Sequence, residues 1–442
     1  MTMRHKTSFQ HIAIFGAGLS GRAAYARARD LGISCVIDDD HMTAYETIAD
    51  HDFISFQEWD FSQIEALILS PGIAHHHPAP HPVAKMAQDH QVEIISEVEF
   101  GLRTGNWGEM IIITGTNGKS TTTALTGHIL KEAGLSVGIG GNLGTPLCAL
   151  PEQTDGFTVL ELSSYQLETT PSLAPKVSAL LNITPDHLDR HGGLDGYISA
   201  KKQSLITIRP DGLALIGDEG PIMKDVLAWA HDNLSCQIEA ISGKSLPSSL
   251  CQNPYLAGLH NQQNIAFALA IASHFGVSGD IMEQAITSFI GLPHRLQPVG
   301  SHNGTPFIND SKATNGDATA KALSAFESII WLAGGRAKAE GLSACTPYFH
   351  HIRKAHFFGE SAKAFYEQAK DHITCHYHDT LDEAFAHATD MLDGTEVVLL
   401  SPAAASFDQF ANFGMRGDHF AKLTKAFIDT HHQPLKEVSH AR

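Results

Sequence analysis

Gly115-Thr116-Asn117-Gly118-Lys119-Ser120 stands between an apolar run, Met110-Ile111-Ile112-Ile113, and a helix-compatible run from Thr121 to Glu132. Gly134 follows where a helical C-cap glycine would sit. A strand, a glycine turn and a helix with Lys-Ser in its first turn make a phosphate cradle. Backbone N–H groups and the positive helix end face the anion, Lys119 bridges phosphate oxygens, and Ser120 can hold Mg2+. The spacing is GxxGKS rather than GxxxxGK[ST], because Ile113 occupies the earlier glycine position. A plain glycine-rich turn with a solvated lysine would not need this flanking strand and helix. The stretch predicts a nucleoside triphosphate site.

Composition sets the outer bounds. At 442 residues the chain has room for roughly three domains, each with its own core. A hydrophobic content of 43% and a charged content of 18% describe an ordinary globular protein. A formal charge of −18 argues against a general nucleic-acid surface, so phosphates must be met by local positive features. No apolar run is long enough for membrane insertion, and Met1 to Gln10 lacks a signal-peptide core. Six cysteines at 35, 148, 236, 251, 345 and 375 form no C-x-x-C pair, which suits free thiols in a reducing cytoplasm.

Working towards the N-terminus, His11 to Phe15 reads as a strand, followed by Gly16-Ala17-Gly18-Leu19-Ser20-Gly21 and a helical run to Asp30. This is G-x-G-x-x-G in a Rossmann-like setting, and a second strand from Ser34 to Ile37 ends at Asp38, where a ribose-binding acid would lie. Strand Ala66 to Leu69 runs into Ser70-Pro71-Gly72, either a ligand-binding turn at a strand's carboxyl end or a plain type I or II turn. His75, His76, His77 and His81 lie among prolines without a carboxylate or cysteine beside them, so a solvated loop is expected rather than a metal site. Domain boundaries are placed near residues 97 and 297, giving domains 1–97, 98–297 and 298–442.

Working towards the C-terminus, strand Phe157 to Leu160 ends in Glu161, and strand Ala179 to Ile183 ends in a polar stretch through Asp186, His187 and Asp189. Repeated strands with polar ends and helices between them describe an α/β protein whose central parallel sheet carries the active edge at its carboxyl end. A carboxylate one strand from a phosphate loop is the usual second Mg2+ anchor, which selects Glu161. Hard-cation chemistry alone favours Asp186 or Asp189 over the imidazole of His187, which would then be a packing histidine. Strands continue through Thr305 to Ile308, Ser328 to Leu332, Ala355 to Phe358 and Glu396 to Leu400, with Ser406 read as a helix start.

Seven stretches now combine: TGTNGKST (114–121), ELSSYQLE (161–168), NITPDHLDRH (182–191), GLHNQQN (258–264), LPHR (292–295), NDSKATN (309–315) and SPAAASFDQFANF (401–413). In this order they resemble the Mur ligase family, bacterial ATP-dependent amide-forming ligases of cell-wall synthesis. The SSYQLE, NDSKATN and ASFDQF elements look like the branch that joins D-glutamate to UDP-N-acetylmuramoyl-L-alanine. Asp38-Asp39-Asp40 departs from that branch's Asp-Thr-Arg-like uridine contact, and Ala404 stands where cysteine is common.

The resemblance implies three domains: a Rossmann-like N-terminal domain, a central P-loop ATPase-like domain and a Rossmann-like C-terminal domain. It implies ATP contacts from Gly115, Thr116, Asn117, Gly118, Lys119, Ser120, Thr121, Asn261, Asn264, Arg295, Asp310 and Lys312. UDP-substrate contacts follow at Leu19, Ser20, Asp38, Ser70, Pro71, Gly72 and Asn142. D-Glutamate contacts follow at Thr314, Lys338, Ser406 and Phe413. Two Mg2+ ions would use Ser120, Glu161, His187 and Lys201, the last as a carbamate, since Tyr197-x-x-Ala200-Lys201 resembles the family's Y-x-x-A-K. Lys119, His187 and Lys201 are the catalytic group, and no obligate protein partner is inferred.

Without the resemblance, Lys201-Lys202 reads as a solvated helix face, Asn261 and Asn264 as helix-start polar residues, and each C-terminal residue as a cap or solvated charge. Two alternatives in the same class are folylpolyglutamate synthetase, disfavoured by the G-x-G-x-x-G domain, and a sister ligase, disfavoured by NDSKATN. A Rossmann NAD-dependent dehydrogenase and a non-catalytic nucleotide-sensing scaffold are the alternatives from other classes.

Overall fold

The computed structural model describes residues 9–40, 52–244, 246–247, 250, 252–256, 258–338 and 340–431. The chain divides into two compact units, Met1–Pro247 with Asn261–Ser288, and Ser248–His260 with Phe289–Arg442. The first unit carries two sheets and the second one large sheet with a small ribbon.

In the first unit β1 (His11–Phe15), α1 (Leu19–Asp30), β2 (Ser34–Asp38), β3 (Ala66–Leu69), α2 (Pro82–Asp89) and β4 (Glu93–Ile95) build a parallel sheet in the order β2-β1-β3-β4. The order reverses between β1 and β3, so the glycine loop after β1 and the Ser70 turn after β3 meet at one edge. This is the switch point where open α/β sheets take ligands.

After α3 (Glu97–Thr104) the chain forms β5 (Glu109–Thr114), α4 (Lys119–Glu132), β6 (Val137–Gly141), β7 (Phe157–Glu161), α5 (Ser164–Glu168) and β8 (Val177–Leu180). It continues through α6 (Leu194–Ile206), β9 (Leu213–Gly217), α7 (Pro221–Asn233) and β10 (Gln237–Ile241), with α8 (Leu259–His274) and α9 (Gly279–Ser288) later in sequence. The sheet order is β10-β9-β8-β5-β7-β6, all parallel. Met110 to Ile113 are buried, as a central parallel strand covered on both faces requires. The strand expected over 179–183 ends at Leu180, releasing Asn182 to serve the phosphate loop.

The second unit opens with an antiparallel hairpin, β11 (Gln297–His302) and β12 (Thr305–Asn309), a pairing that the sequence pattern did not announce. Then come α10 (Gly316–Leu323), β13 (Ile329–Gly334), β14 (Arg336–Ala337), β15 (Ile352–Phe358), α11 (Ala362–Ala369), β16 (Cys375–His378), α12 (Leu381–Ala388), β17 (Val397–Leu400), β18 (Ala404–Ala405) and α13 (Phe413–His431). The sheet order is β11-β12-β17-β13-β15-β16, with β14 and β18 forming a separate two-stranded ribbon. That ribbon corrects one expectation. Ser406 does not start a helix; the chain first pairs as β18, then makes a single turn, and α13 begins only at Phe413.

Among the described residues no helix is long and apolar enough to cross a membrane, and the five described cysteines are free.

Candidate active site

The phosphate loop follows β5, the strand from which the central sheet grows in both directions. Gly118 caps α4 at φ +85°, a backbone conformation that L side chains rarely adopt. A Cβ there would also lie 2.2 Å from Oδ1 of Asn264, so the loop and α8 approach closely only because this position is glycine. Asn264 in turn accepts from Thr122 Oγ1 (3.2 Å) and donates to Asn261 Oδ1 (2.8 Å), which seats both asparagines beside the loop. Asn182 fixes the loop's middle, accepting from Asn117 N (2.9 Å) and donating to Asn117 O (3.1 Å). Lys119 Nζ folds back to Gly115 O (3.0 Å) and Thr116 O (2.9 Å).

Two buried ionisable groups lie at the same edge. Lys201, on α6, is 1% exposed and donates from Nζ to Gly115 O at 2.7 Å. Burial first, and then the neighbouring Lys119 charge, push its pKa well below the ordinary lysine value, while Asp186 and Glu161 oppose the shift. Lys202 points elsewhere, its Nζ 4.3 Å from the centre of the Trp229 ring, so only one of the adjacent lysines is solvated in the way the sequence alone suggested. Glu161 closes β7 and is 2% exposed. Its Oε1 accepts from Asn142 Nδ2 at 2.8 Å, but Oε2 is buried without a hydrogen-bond partner.

A buried, unpartnered carboxylate oxygen one strand from a phosphate loop suits a hard cation. Ser120 supplies a hydroxyl at the start of α4. Among the described residues no three His, Cys, Asp or Glu side chains cluster as a metal cage. Mg2+ is commonly held by one or two carboxylates with phosphates and water completing its shell. Lys201 as an ammonium would repel a cation. His187 is a half-exposed residue at φ +52°, its ring 5.4 Å from Tyr165 and its Nε2 3.5 Å from Asp186.

The first glycine loop is built around backbone contacts. A Cβ on Gly21 would come within 1.9 Å of Gly16 O, and Ser70 Oγ donates to Gly16 O at 2.8 Å. Asp38 is buried, with Oδ1 accepting from Asp39 N (2.8 Å) and Oδ2 from Phe56 N (2.7 Å). Asp39, the middle residue of the Asp38-Asp39-Asp40 stretch, accepts from Ala17 N at 2.6 Å and so faces the loop directly. Leu19 is 74% exposed at the mouth of this loop, with Ser20 beside it. Of the Ser70-Pro71-Gly72 turn, Gly72 O accepts from Arg190 Nη1 at 2.8 Å. The expected solvated histidine loop holds for His76 and His77 only. His75 lies 3.6 Å from Glu168, and His81 caps α2 through Val83 N with its ring 4.7 Å from Phe15.

In the second unit the loops after β12, β13 and β17 gather at one sheet edge. Asp310 is buried, accepting from Ser401 Oγ (2.8 Å) and Leu296 N (3.2 Å), and burial pushes its pKa up to about 7. Arg295 lies in the turn whose amide bonds Leu292 O, and Lys312 Nζ rests 4.0 Å from the Phe413 ring centre. Lys338 is exposed just beyond β14 and Ser406 is buried just beyond β18. Thr314 N bonds Lys312 O in the same loop. The residue missed here is Arg416, which is fully buried, and no spacing in the sequence distinguishes it.

Fold and site together define a phosphate-loop protein with a second ligand loop at its N-terminal sheet and a third polar edge in its last. Residues 113–245 match the family described as the Mur ligase middle domain, and residues 294–404 the Mur ligase glutamate ligase domain. The UDP-N-acetylmuramoylalanine--D-glutamate ligase of Nitrobacter winogradskyi is 38% identical over 95% of this chain and 97% of its own length. The protein of the same name from Paramagnetospirillum magneticum is 39% identical over the same shares. Among solved structures, the UDP-N-acetylmuramate-alanine ligase of Thermotoga maritima superposes with a TM-score of 0.60 at 16% identity, covering 94% of this chain and 99% of that one. The chain belongs to the Mur ligase family.

Proposed function

We propose that this protein is the ATP-dependent ligase that adds D-glutamate to UDP-N-acetylmuramoyl-L-alanine in peptidoglycan precursor synthesis. The reading draws on relatives of that name matched over nearly the whole chain. The observation that carries the chemistry is the buried Lys201 amine bonded to the phosphate loop at Gly115. A carboxylate becomes an acylating agent only after phosphorylation. The substrate carboxylate oxygen attacks the γ-phosphorus and ADP leaves; the amine of D-glutamate then attacks the carbonyl carbon, and phosphate and a proton leave.

Two anions must meet in the first step, and Lys119 and Arg295 carry the charges that reduce their repulsion. Mg2+, held by Ser120 and Glu161, would supply further charge screening to the phosphates. Lys201 is proposed to carry a carbamate, which with His187 would serve a second Mg2+. Its buried, neutral-leaning amine is the form that adds CO2, and the product is an oxygen-bearing anion where an ammonium would repel metal.

Residues 1–97 are assigned the uridine substrate, through Leu19, Ser20 and the Ser70-Pro71-Gly72 turn, with Asn142 reaching it from the central part. Residues 98–297 are assigned ATP, with Asn261 and Asn264 near the base, and residues 298–442 D-glutamate. Asp310 and Lys312 are kept as nucleotide contacts from the last part. The relatives named as ligases and matched over nearly the whole chain weigh against the dehydrogenase alternative. A cytoplasmic location fits these substrates.

The test is phosphate release with UDP-N-acetylmuramoyl-L-alanine across a panel of D- and L-amino acids. D-Glutamate alone should support turnover. Activity with an L-amino acid, or none with any, would overturn the assignment.

A further inference from the structure

The guanidinium of Arg416 is fully buried near the start of α13, and four of its five N–H donors are engaged by the second unit's loops. Nε donates to Ser311 Oγ (3.0 Å) and Nη2 to Ser311 O (2.9 Å), both in the loop after β12. Nη1 donates to Gly334 O (3.1 Å) at the end of β13, and Nη2 also donates to Ala404 O (3.0 Å) in β18. Ser311 Oγ itself donates to Phe413 O (2.8 Å), closing the circle on the helix that carries the arginine. Among the described residues no carboxylate lies within ion-pair distance of it.

We infer that Arg416 is a positioning residue for the amino-acid substrate, tying together the four segments that present Thr314, Lys338, Ser406 and Phe413. The inference rests on the reading of this edge as the D-glutamate site. Each of the four contact residues follows or precedes an Arg416-bound group by a few positions in sequence: Thr314 after Ser311, Lys338 after Gly334, Ser406 after Ala404, Phe413 before Arg416 itself.

A purely structural arginine would be costly here, because a buried cation loses its hydration. Three carbonyl oxygens and one hydroxyl engage its donors but leave its charge uncancelled, and that charge favours a dicarboxylate at the edge. Burial pushes its pKa down only to about 10, with Asp408 opposing the shift, so the guanidinium stays charged at neutral pH. Lysine cannot replace it: a single ammonium lacks the planar fork that reaches three separate segments at once. The fit is close, since a Cβ on Gly335 would stand 3.0 Å from Nη1.

The experiment compares Arg416→Lys, Arg416→Gln and Lys338→Ala in the full-length enzyme, measuring KM for D-glutamate and for ATP, kcat at saturating D-glutamate, and the thermal unfolding midpoint. Both Arg416 variants should raise the D-glutamate KM about tenfold or more, the scale of a lost charged contact, with ATP KM changed less than about twofold. Arg416→Lys, which keeps the charge, should raise it less than Arg416→Gln. If Lys338→Ala raises the D-glutamate KM and neither Arg416 variant does, the inference fails while the site assignment stands. If none of the three moves it, the site assignment fails first. Equal rises in both KM values, or loss of folding in both Arg416 variants, would reduce the arginine to a structural bolt and overturn the inference.

Discussion

Lys201 Nζ donates a 2.7 Å hydrogen bond to the carbonyl oxygen of Gly115, so a buried amine from α6 rests on the first residue of the phosphate loop. The same carbonyl accepts from Lys119 Nζ at 3.0 Å. Two amines therefore converge on one oxygen. Burial first, and then the neighbouring Lys119 charge, push the Lys201 pKa well below the ordinary value.

Lys201→Ala should lose about 100-fold or more of turnover, the scale of removing a preorganised charged group at a reacting phosphate. Formate or acetate should restore part of it by filling the space with a carboxylate. The readout is phosphate release with and without the added acid. An active Lys201→Ala enzyme, or an unmodified mass for a Lys201 peptide isolated under CO2-retaining trapping, would defeat the carbamate.

Lys119→Ala should abolish turnover while leaving the fold intact. Its Nζ bonds two loop carbonyls, which water can satisfy in its absence. The charge it brings to phosphoryl transfer is worth about 3 kcal/mol or more at the transition state. ADP production and the unfolding midpoint should be measured together. Near-normal ADP production would mean that the loop is not the catalytic ATP site.

How far the sequence could be read depended on whether the relevant contacts were local. The phosphate loop was legible because strand, glycine turn and helix follow one another along the chain. Glu161 was legible because it closes an apolar strand. Lys201 was legible only through the resemblance of Tyr197-x-x-Ala200-Lys201 to the family's spacing, since by apolar pattern alone Lys201 and Lys202 are equivalent neighbours. Which one turns inward is decided by the packing of α6, which aims one at Gly115 and the other at Trp229. Ser406 misled because Ser-Phe-Asp after a proline resembles a helix start, whereas the preceding alanines are drawn into pairing with β14. Arg416 left no trace, because its partners are mostly carbonyl oxygens and carbonyls have no sequence pattern.

Lys338→Ala should raise the KM for D-glutamate much more than that for ATP. One charge-assisted contact is worth roughly 1.5–3 kcal/mol, or about ten- to a hundredfold in KM. Steady-state kinetics with each substrate varied in turn decides it. Parallel changes in both constants would contradict an amino-acid contact.

The last prediction concerns Glu97, the first residue of α3, away from the phosphate loop. Its side chain is 3% exposed; Oε1 accepts from Cys148 N at 2.6 Å, and Oε2 is buried without a partner. Burial pushes its pKa up to about 7, against the opposing bonds from Cys148 and the charge of Arg27. A raised acid holds its proton more tightly in the folded chain than in the unfolded one. Its stabilising contribution is therefore complete below the ordinary glutamate range and is lost as pH rises through about 7. Glutamine keeps an acceptor for Cys148 N and cannot ionise. Glu97→Gln should thus match the parent near pH 4, below the ordinary glutamate range, and exceed it near pH 8 by up to about 3 kcal/mol, the free-energy equivalent of the raised pKa. Urea unfolding of the intact chain, followed at both pH values by a probe in the first unit, reads the difference. A stability change that is the same at both pH values would show that Glu97 is already ionised in the folded protein.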